Sequence, residues 1–244
     1  MQKYFERIQI ILEIISEYDE LIYASNIKNK YFSAEYLKYI PLIQKWVDKN
    51  SPVLDWGALY GHVSILFDEL GYDIIPYTVS PSPASRAALS NQFGAKFIDS
   101  KDVTKLPFQD ESFGSVISSG VFEHVYEGGG SQEGSLKDIH RILKPDGLMI
   151  FWKLPNVSSI SEIKSDLLGR WSHPFRFSQS GITQLLKLYG FKVVFIEREG
   201  LLPASLSSFL RRLGFKSHLQ DRLANLPVLK VFATDFIVIA QKIP

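Results

Sequence analysis

Three stretches of the sequence combine residue types that could do chemistry. The first is Val53-Leu54-Asp55-Trp56-Gly57-Ala58-Leu59-Tyr60-Gly61-His62. An apolar run ends in a carboxylate, enters a turn with two glycines and continues into a second apolar stretch. Glycine lets the backbone approach a ligand closely, and the free amides of a helix start point outward, so such a turn suits a polar ligand. The phosphate-loop sequence Gly-Lys-Ser/Thr does not follow, and the G-x-G-x-x-G spacing of dinucleotide sites is absent. The second stretch is Glu123-His124. A histidine there could take a proton from a hydroxyl nucleophile, which makes His124 a candidate catalytic base. Histidine and carboxylate also suit a divalent ion, but two neighbouring ligands are too few, and no metal is expected. The third is Trp171-Ser172-His173-Pro174-Phe175-Arg176-Phe177. Rings beside a histidine and an arginine suit a substrate lid. Trp171 can supply an apolar wall and Arg176 can meet a carboxylate or phosphate, while His173 is a second candidate base. His62 reads as structural.

Hydrophobic periodicity shows what must position these residues. Tyr4, Ile8, Ile11, Leu12, Ile15 and Tyr18 recur at helical spacing, and a second helix is expected over residues 33–48 with Pro41 as a kink or break. From residue 52 short apolar runs alternate with helical patterns. Strands are expected at 53–56, 74–79, 97–98, 116–119, 148–152, 191–196 and 231–240, and helices at 61–70, from Ser82-Pro83 to near Gly94, at 132–144, and from Ser178 to Gly190. That alternation implies an α/β fold with a parallel sheet and crossover helices. The economical division is a helical N-terminal extension, residues 1–50, and one domain, residues 51–244. Within the domain, 154–177 reads as an irregular lid loop and 201–229 as an insertion.

Composition narrows the function classes. The 244 residues are 45% hydrophobic and 22% charged, with a net charge of +1. This excludes a disordered chain and argues against a dedicated nucleic-acid binder, so no nucleic-acid partner is expected. No cysteine is present, which rules out disulfides, thiolate metal sites and cysteine nucleophiles. No leader-like or membrane-spanning apolar run is found, and a cytoplasmic location is expected. Leu206, Phe209, Leu210 and Leu213 lie near Arg211, Arg212 and Lys216. Peripheral membrane contact through residues 201–216 is one reading of that face, and packing on its own domain is the commoner one.

The motifs also carry a family resemblance. Asp55-x-Gly57-x-Leu59-x-Gly61 resembles motif I, D-x-G-x-G-x-G, of the class I S-adenosylmethionine-dependent methyltransferases. Asp102 with Leu106-Pro107-Phe108 and Ser112-Phe113, then Ser118 to Val125, Leu143-Lys144-Pro145-Asp146-Gly147, and Phe177-Ser178 with Gly190-Phe191 resemble later blocks of that family in the same order. The resemblance covers about residues 52–198, and the nearest group is the small-molecule, ubiquinone-biosynthesis-like (type 11) methyltransferases. It implies a doubly wound, mostly parallel seven-stranded sheet and S-adenosylmethionine as cofactor. It also implies a cofactor site at Asp55, Gly57, Gly61, Thr78, Asp102 and Val103, and a small-molecule, sugar or lipid-head-group acceptor. The sequence departs from the pattern at three points. Leu59 replaces the middle glycine, Thr78 stands where an acidic residue usually holds the ribose, and Gly114 follows Phe113 where the family has aspartate. These departures leave a second reading open, a catalytically inactive methyltransferase-like binding or scaffold protein.

Overall fold

The computed structural model describes residues 2–18, 37–78, 84–94, 96–99, 102, 104–200 and 230–243. The insertion 201–229, the expected helix start at Ser82-Pro83, and Val103 lie outside the described residues. Two helices, α1 (Gln2–Tyr18) and α2 (Ile40–Trp46), precede the sheet. The elements β1 (Val53–Trp56), α3 (His62–Glu69), β2 (Ile74–Thr78), α4 (Ala84–Phe93), β3 (Ile98–Asp99) and β4 (Phe113–Ser119) follow. A 3-10 helix (Phe122–Gly128), α5 (Gln132–Ile142), β5 (Leu143–Pro155), α6 (Ile160–Leu167), α7 (Gln179–Leu188), β6 (Phe191–Glu199) and β7 (Asp235–Lys242) complete the order.

The seven strands form one sheet in the order β3-β2-β1-β4-β5-β7-β6. β1 pairs in parallel with both β2 and β4, and β7 runs antiparallel between β5 and β6. The chain therefore leaves β1 toward one edge and returns at β4 toward the other. That reversal is the topological switch point, and ligands of open α/β sheets bind in the crevice beyond the strand ends there. β1 is buried throughout, as a central parallel strand must be, and its one polar residue is Asp55.

Helices cover both faces. Ile8, Ile11, Leu12 and Ile15 of α1, with Ile40 and Ile43 of α2 and Val63, Ile65 and Leu66 of α3, pack on Ile117, Ile150, Trp152, Ile237 and Ile239. On the other face Leu136, Ile139 and Ile142 of α5 and Ile182 and Leu186 of α7 meet Leu54, Val116, Phe151 and Val238. The apolar stripe read from the N-terminus is thus core, not an appendage.

Several expectations change. Pro41 lies in the first turn of α2 rather than kinking a longer helix, because its fixed φ and missing N–H cost nothing there. Residues 33–36 of that expected helix lie outside the described residues. α5 stops at Ile142, and β5 begins at Leu143 and passes through the Pro145-Asp146-Gly147 turn. The stretch expected to be irregular holds α6, whose start is capped by Ser159 accepting from the Glu162 amide at 3.4 Å. β7 starts at Asp235, four residues later than expected.

Candidate active site

The carboxyl end of β1 turns through Gly57 and Gly61, with φ of 86° and 77°, a region that favours glycine. Space makes the same demand. A Cβ on Gly57 would lie 2.4 Å from Val121 Cγ2, and one on Gly61 would lie 2.3 Å from the Phe97 ring. The Gly57 and Ala58 amides both donate to the Tyr77 carbonyl, tying the turn to β2. Leu59, in the middle-glycine position, is forced to φ 39°. Asp55 is buried and accepts a 2.6 Å bond from Ser64 Oγ of α3. Burial raises its pKa from 3.8 to about 6, against the lowering effect of the Ser64 bonds.

Thr78 ends β2, buried and next to Asp99 of β3. Asp102 follows β3, exposed, and its Oδ1 accepts from the Thr104 amide and hydroxyl and from the Lys105 amide. Those bonds hold its carboxyl below the usual range, and Tyr77 Oη fixes its carbonyl at 2.7 Å. Asp55, Gly57, Gly61, Thr78 and Asp102 thus all stand at or just beyond the carboxyl ends of β1, β2 and β3. Arg86 of α4 lies over the Phe97 ring at 4.1 Å and bonds Asp99 at 2.7 Å, closing the outer wall.

Across the switch point, Glu123 and His124 sit on the 3-10 helix after β4. The segment 154–177, expected to be a lid, packs its rings against them. Trp171 stacks on His124 with ring centroids 6.3 Å apart and meets His173 edge-on at 4.8 Å. Phe175 stacks on Tyr126 at 4.6 Å, and Phe177 on Phe122 at 5.6 Å. The lid is anchored at its base, where Asn156 Nδ2 donates to the carbonyls of Val231 and Ala233. Each sequence-singled histidine is held by a carboxylate at Nδ1: His124 by Glu127 at 2.9 Å and His173 by Glu162 at 3.0 Å. Arg176 bonds Asp166 at 2.7 Å, and Ser172 bonds the same carboxylate at 2.6 Å, so the lid's cation is paired within the lid. Burial pushes Glu123 up to about 8, with Asp235 and Glu127 adding to the shift.

Sequence reasoning missed the third wall. Register shifts in β5 between Phe151 and Leu154, and Lys153 takes φ 56° there. The Lys153 charge reinforces the effect of burial in lowering His62 to about 4, which keeps that imidazole neutral. Asp235 begins β7 opposite Pro155 and Glu199, where burial and Glu199 raise it to about 7. Glu199 in turn is held by Tyr39 Oη at 2.5 Å and Lys38 Nζ at 2.7 Å, and Tyr39 stacks on Trp152 at 4.3 Å. The N-terminal extension therefore reaches this wall.

Comparison with known proteins agrees with this geometry. Residues 54–151 match the family described as "Methyltransferase domain". The chain is 26% identical over 181 residues to malonyl-[acyl-carrier protein] O-methyltransferase 1 of Coxiella burnetii, a match covering 71% of this chain. It spans 60% of the length of that relative. The YcgJ protein of Bacillus subtilis superposes with a TM-score of 0.60 at 16% identity, over 86% of this chain and 99% of that one. An S-adenosylmethionine-dependent methyltransferase from Mesorhizobium loti superposes at 0.55 and 16% identity, over 84% and 97%. The strand order, the glycine turn at the switch point and the solved neighbours converge on a class I methyltransferase fold, within which residues 54–151 match a methyltransferase domain.

Proposed function

We propose that this protein transfers the sulfonium methyl of S-adenosylmethionine to an oxygen of a small polar acceptor, a sugar or lipid head group. The observation that carries the reading is the pair of left-handed glycines at the end of β1, facing the switch point beside the buried Asp55. Asp55, Gly57, Gly61, Thr78 and Asp102 would hold the cofactor, and Val103 is assigned to the same site by the resemblance. Bound there, the cofactor supplies an electrophilic methyl group. Thr78 offers one hydroxyl to the ribose where a carboxylate would clamp two.

The acceptor side supports a polar substrate. Asp235 is electrostatically coupled to Glu123 and Lys153, and Trp171 and Arg176 are the residues proposed to meet the acceptor from the lid. His124 and His173 are the proposed catalytic residues. With both Nδ1 atoms committed to carboxylates, their Nε2 atoms are what meets the acceptor. The lid covers the acceptor, excludes water and fixes its oxygen in line with the methyl, and orientation of this kind supplies most of the acceleration. That a relative is named an O-methyltransferase supports oxygen as the nucleophile.

A second reading, a non-catalytic binding or scaffold protein, is favoured by Leu59, whose side chain stands in the turn at φ 39°. Purified protein with methyl-labelled S-adenosylmethionine and a panel of sugar and lipid-head-group acceptors separates the two. The enzyme reading expects label in an acceptor. Cofactor binding with no transfer to any acceptor supports the scaffold.

A further inference from the structure

Three potential ligand atoms converge beneath the lid. His124 gives its Nδ1–H to Glu127 and His173 gives its Nδ1–H to Glu162, because a carboxylate only accepts. In that tautomer the remaining ring nitrogen, Nε2, carries the lone pair. The two rings stand 5.5 Å apart, centroid to centroid. The third atom is Glu123 Oε1. Its residue is 1% exposed, and the atom has no hydrogen-bond partner among the described residues. It lies 3.9 Å from His124 Nε2, too far for a shared proton. One ligand atom from each of Glu123, His124 and His173 lies within 4.8 Å of the others. A buried carboxylate oxygen facing two imidazole lone pairs is stabilised by a cation.

We propose that Glu123, His124 and His173 form a binding site for one divalent transition-metal ion of the zinc type. Two imidazoles and one carboxylate are a borderline nitrogen-and-oxygen set, suited to zinc or cobalt and poorly suited to magnesium, which prefers all-oxygen ligands. Three protein ligands leave a fourth position open, the pattern of catalytic rather than structural zinc. On a tetrahedral ion with bonds near 2.0–2.1 Å, ligand atoms sit about 3.3 Å apart. The ligand atoms lie within 4.8 Å of one another, with Glu123 Oε1 and His124 Nε2 at 3.9 Å, and side-chain shifts on the order of 1 Å close the set to that spacing. Outer-shell carboxylates on metal-ligating histidines fix the tautomer and the ring plane, and both histidines already have one. Glu162 also accepts from the His173 amide at 2.8 Å, holding main chain and ring together. The ion would tie the lid to the 3-10 helix after β4. Its part in catalysis rests on the proposed function: the histidines act on the acceptor oxygen through the ion, which lowers the pKa of a hydroxyl in its open position. Ion binding itself does not depend on that reading.

The test uses full-length protein stripped with a chelator. Zinc is titrated against a chromophoric chelator, and cobalt is added separately to read the visible absorption of a four- or five-coordinate site. One ion per chain is expected. His173→Ala and Glu123→Gln should each weaken zinc at least 100-fold. Glu162→Gln, which alters only the positioning of His173, should weaken it 10- to 100-fold and shift the cobalt spectrum. His140→Ala, on α5, should change nothing. S-adenosylmethionine binding by calorimetry on the same samples shows that the variants are folded. Zinc binding without cofactor binding overturns the methyltransferase reading and leaves the ion site standing. Absence of one-to-one zinc binding in the parent protein, or equal binding by His173→Ala, overturns the ion site.

Discussion

The two sides of the switch-point crevice are built on opposite plans. On the side proposed for the cofactor, polar groups are satisfied by the protein itself: Ser64 bonds Asp55, the Asp102 loop bonds its own carboxylate, and the Gly57 and Ala58 amides go to Tyr77. Val121 and Phe97 press on the two glycines. On the side proposed for the substrate, Glu123, His124 and His173 bring potential ligand atoms within 4.8 Å of one another, and Asp235 couples electrostatically to Glu123, Glu199 and Lys153. The first side is positioned by backbone geometry that any side chain would disturb. The second is positioned by side-chain bonds, His124 to Glu127 and His173 to Glu162, and would gain stability from the proposed cation. Changes on the first side should therefore register mainly as stability and cofactor affinity, and changes on the second as ion and acceptor affinity.

Four substitutions break or sharpen that contrast. Gly57→Ala places a methyl against Val121 at a φ of 86° and should destabilise the fold by about 3 kcal/mol, roughly 10 °C in melting temperature. Thermal denaturation checks this, and an unchanged melting point would show that the turn tolerates bulk.

Asp55→Asn should act in the opposite direction on stability. The folded pKa of about 6 lies above the ordinary 3.8, so folding opposes ionisation. The cost is absent below about pH 4, grows as pH rises to 6 and is complete above it, on the order of 3 kcal/mol. The variant should therefore unfold at higher denaturant than the parent at pH 8, match it near pH 4, and bind S-adenosylmethionine more weakly. A gain that is larger in acid would reverse the sign of the argument.

Leu59→Gly removes a left-handed side chain from the turn. Calorimetry should find S-adenosylmethionine bound about tenfold tighter, about 1.4 kcal/mol. Unchanged affinity in a folded variant would place Leu59 clear of the ligand. Arg176→Ala should do least. Its pair with Asp166 is largely solvated, so stability should change by less than about 1 kcal/mol, with cofactor affinity constant and acceptor KM raised a few-fold. Equal loss of cofactor and acceptor binding would move the lid to the cofactor side.

What the sequence made legible follows from how local each feature is. β1, α3 and the glycine turn were readable because a strand, a φ-permissive turn and a helix follow one another within about twenty residues. The parallel sheet followed from the alternation of apolar runs, and its doubly wound order from the family resemblance. α6 was not readable: none of its residues is buried, so its short amphipathic pattern was hidden in an aromatic loop. The bond from Tyr39 to Glu199 spans 160 positions and the pairing of Asp235 with Glu199 needs an antiparallel final strand, so neither has a local signal. The expectation of no metal rested on Glu123 and His124 as neighbours, and only the fold of the lid sets His173 beside them. The insertion 201–229 and its membrane-facing reading lie outside the described residues.

The central claim is that the Asp55–Gly57–Gly61 turn holds S-adenosylmethionine. Isothermal titration of the purified chain with S-adenosylmethionine and with S-adenosylhomocysteine tests it most directly. Saturable one-to-one binding of both, weakened at least tenfold in Asp55→Ala, is the result the structure predicts. No binding of either ligand by the folded parent chain, or binding that Asp55→Ala leaves unchanged, would contradict it.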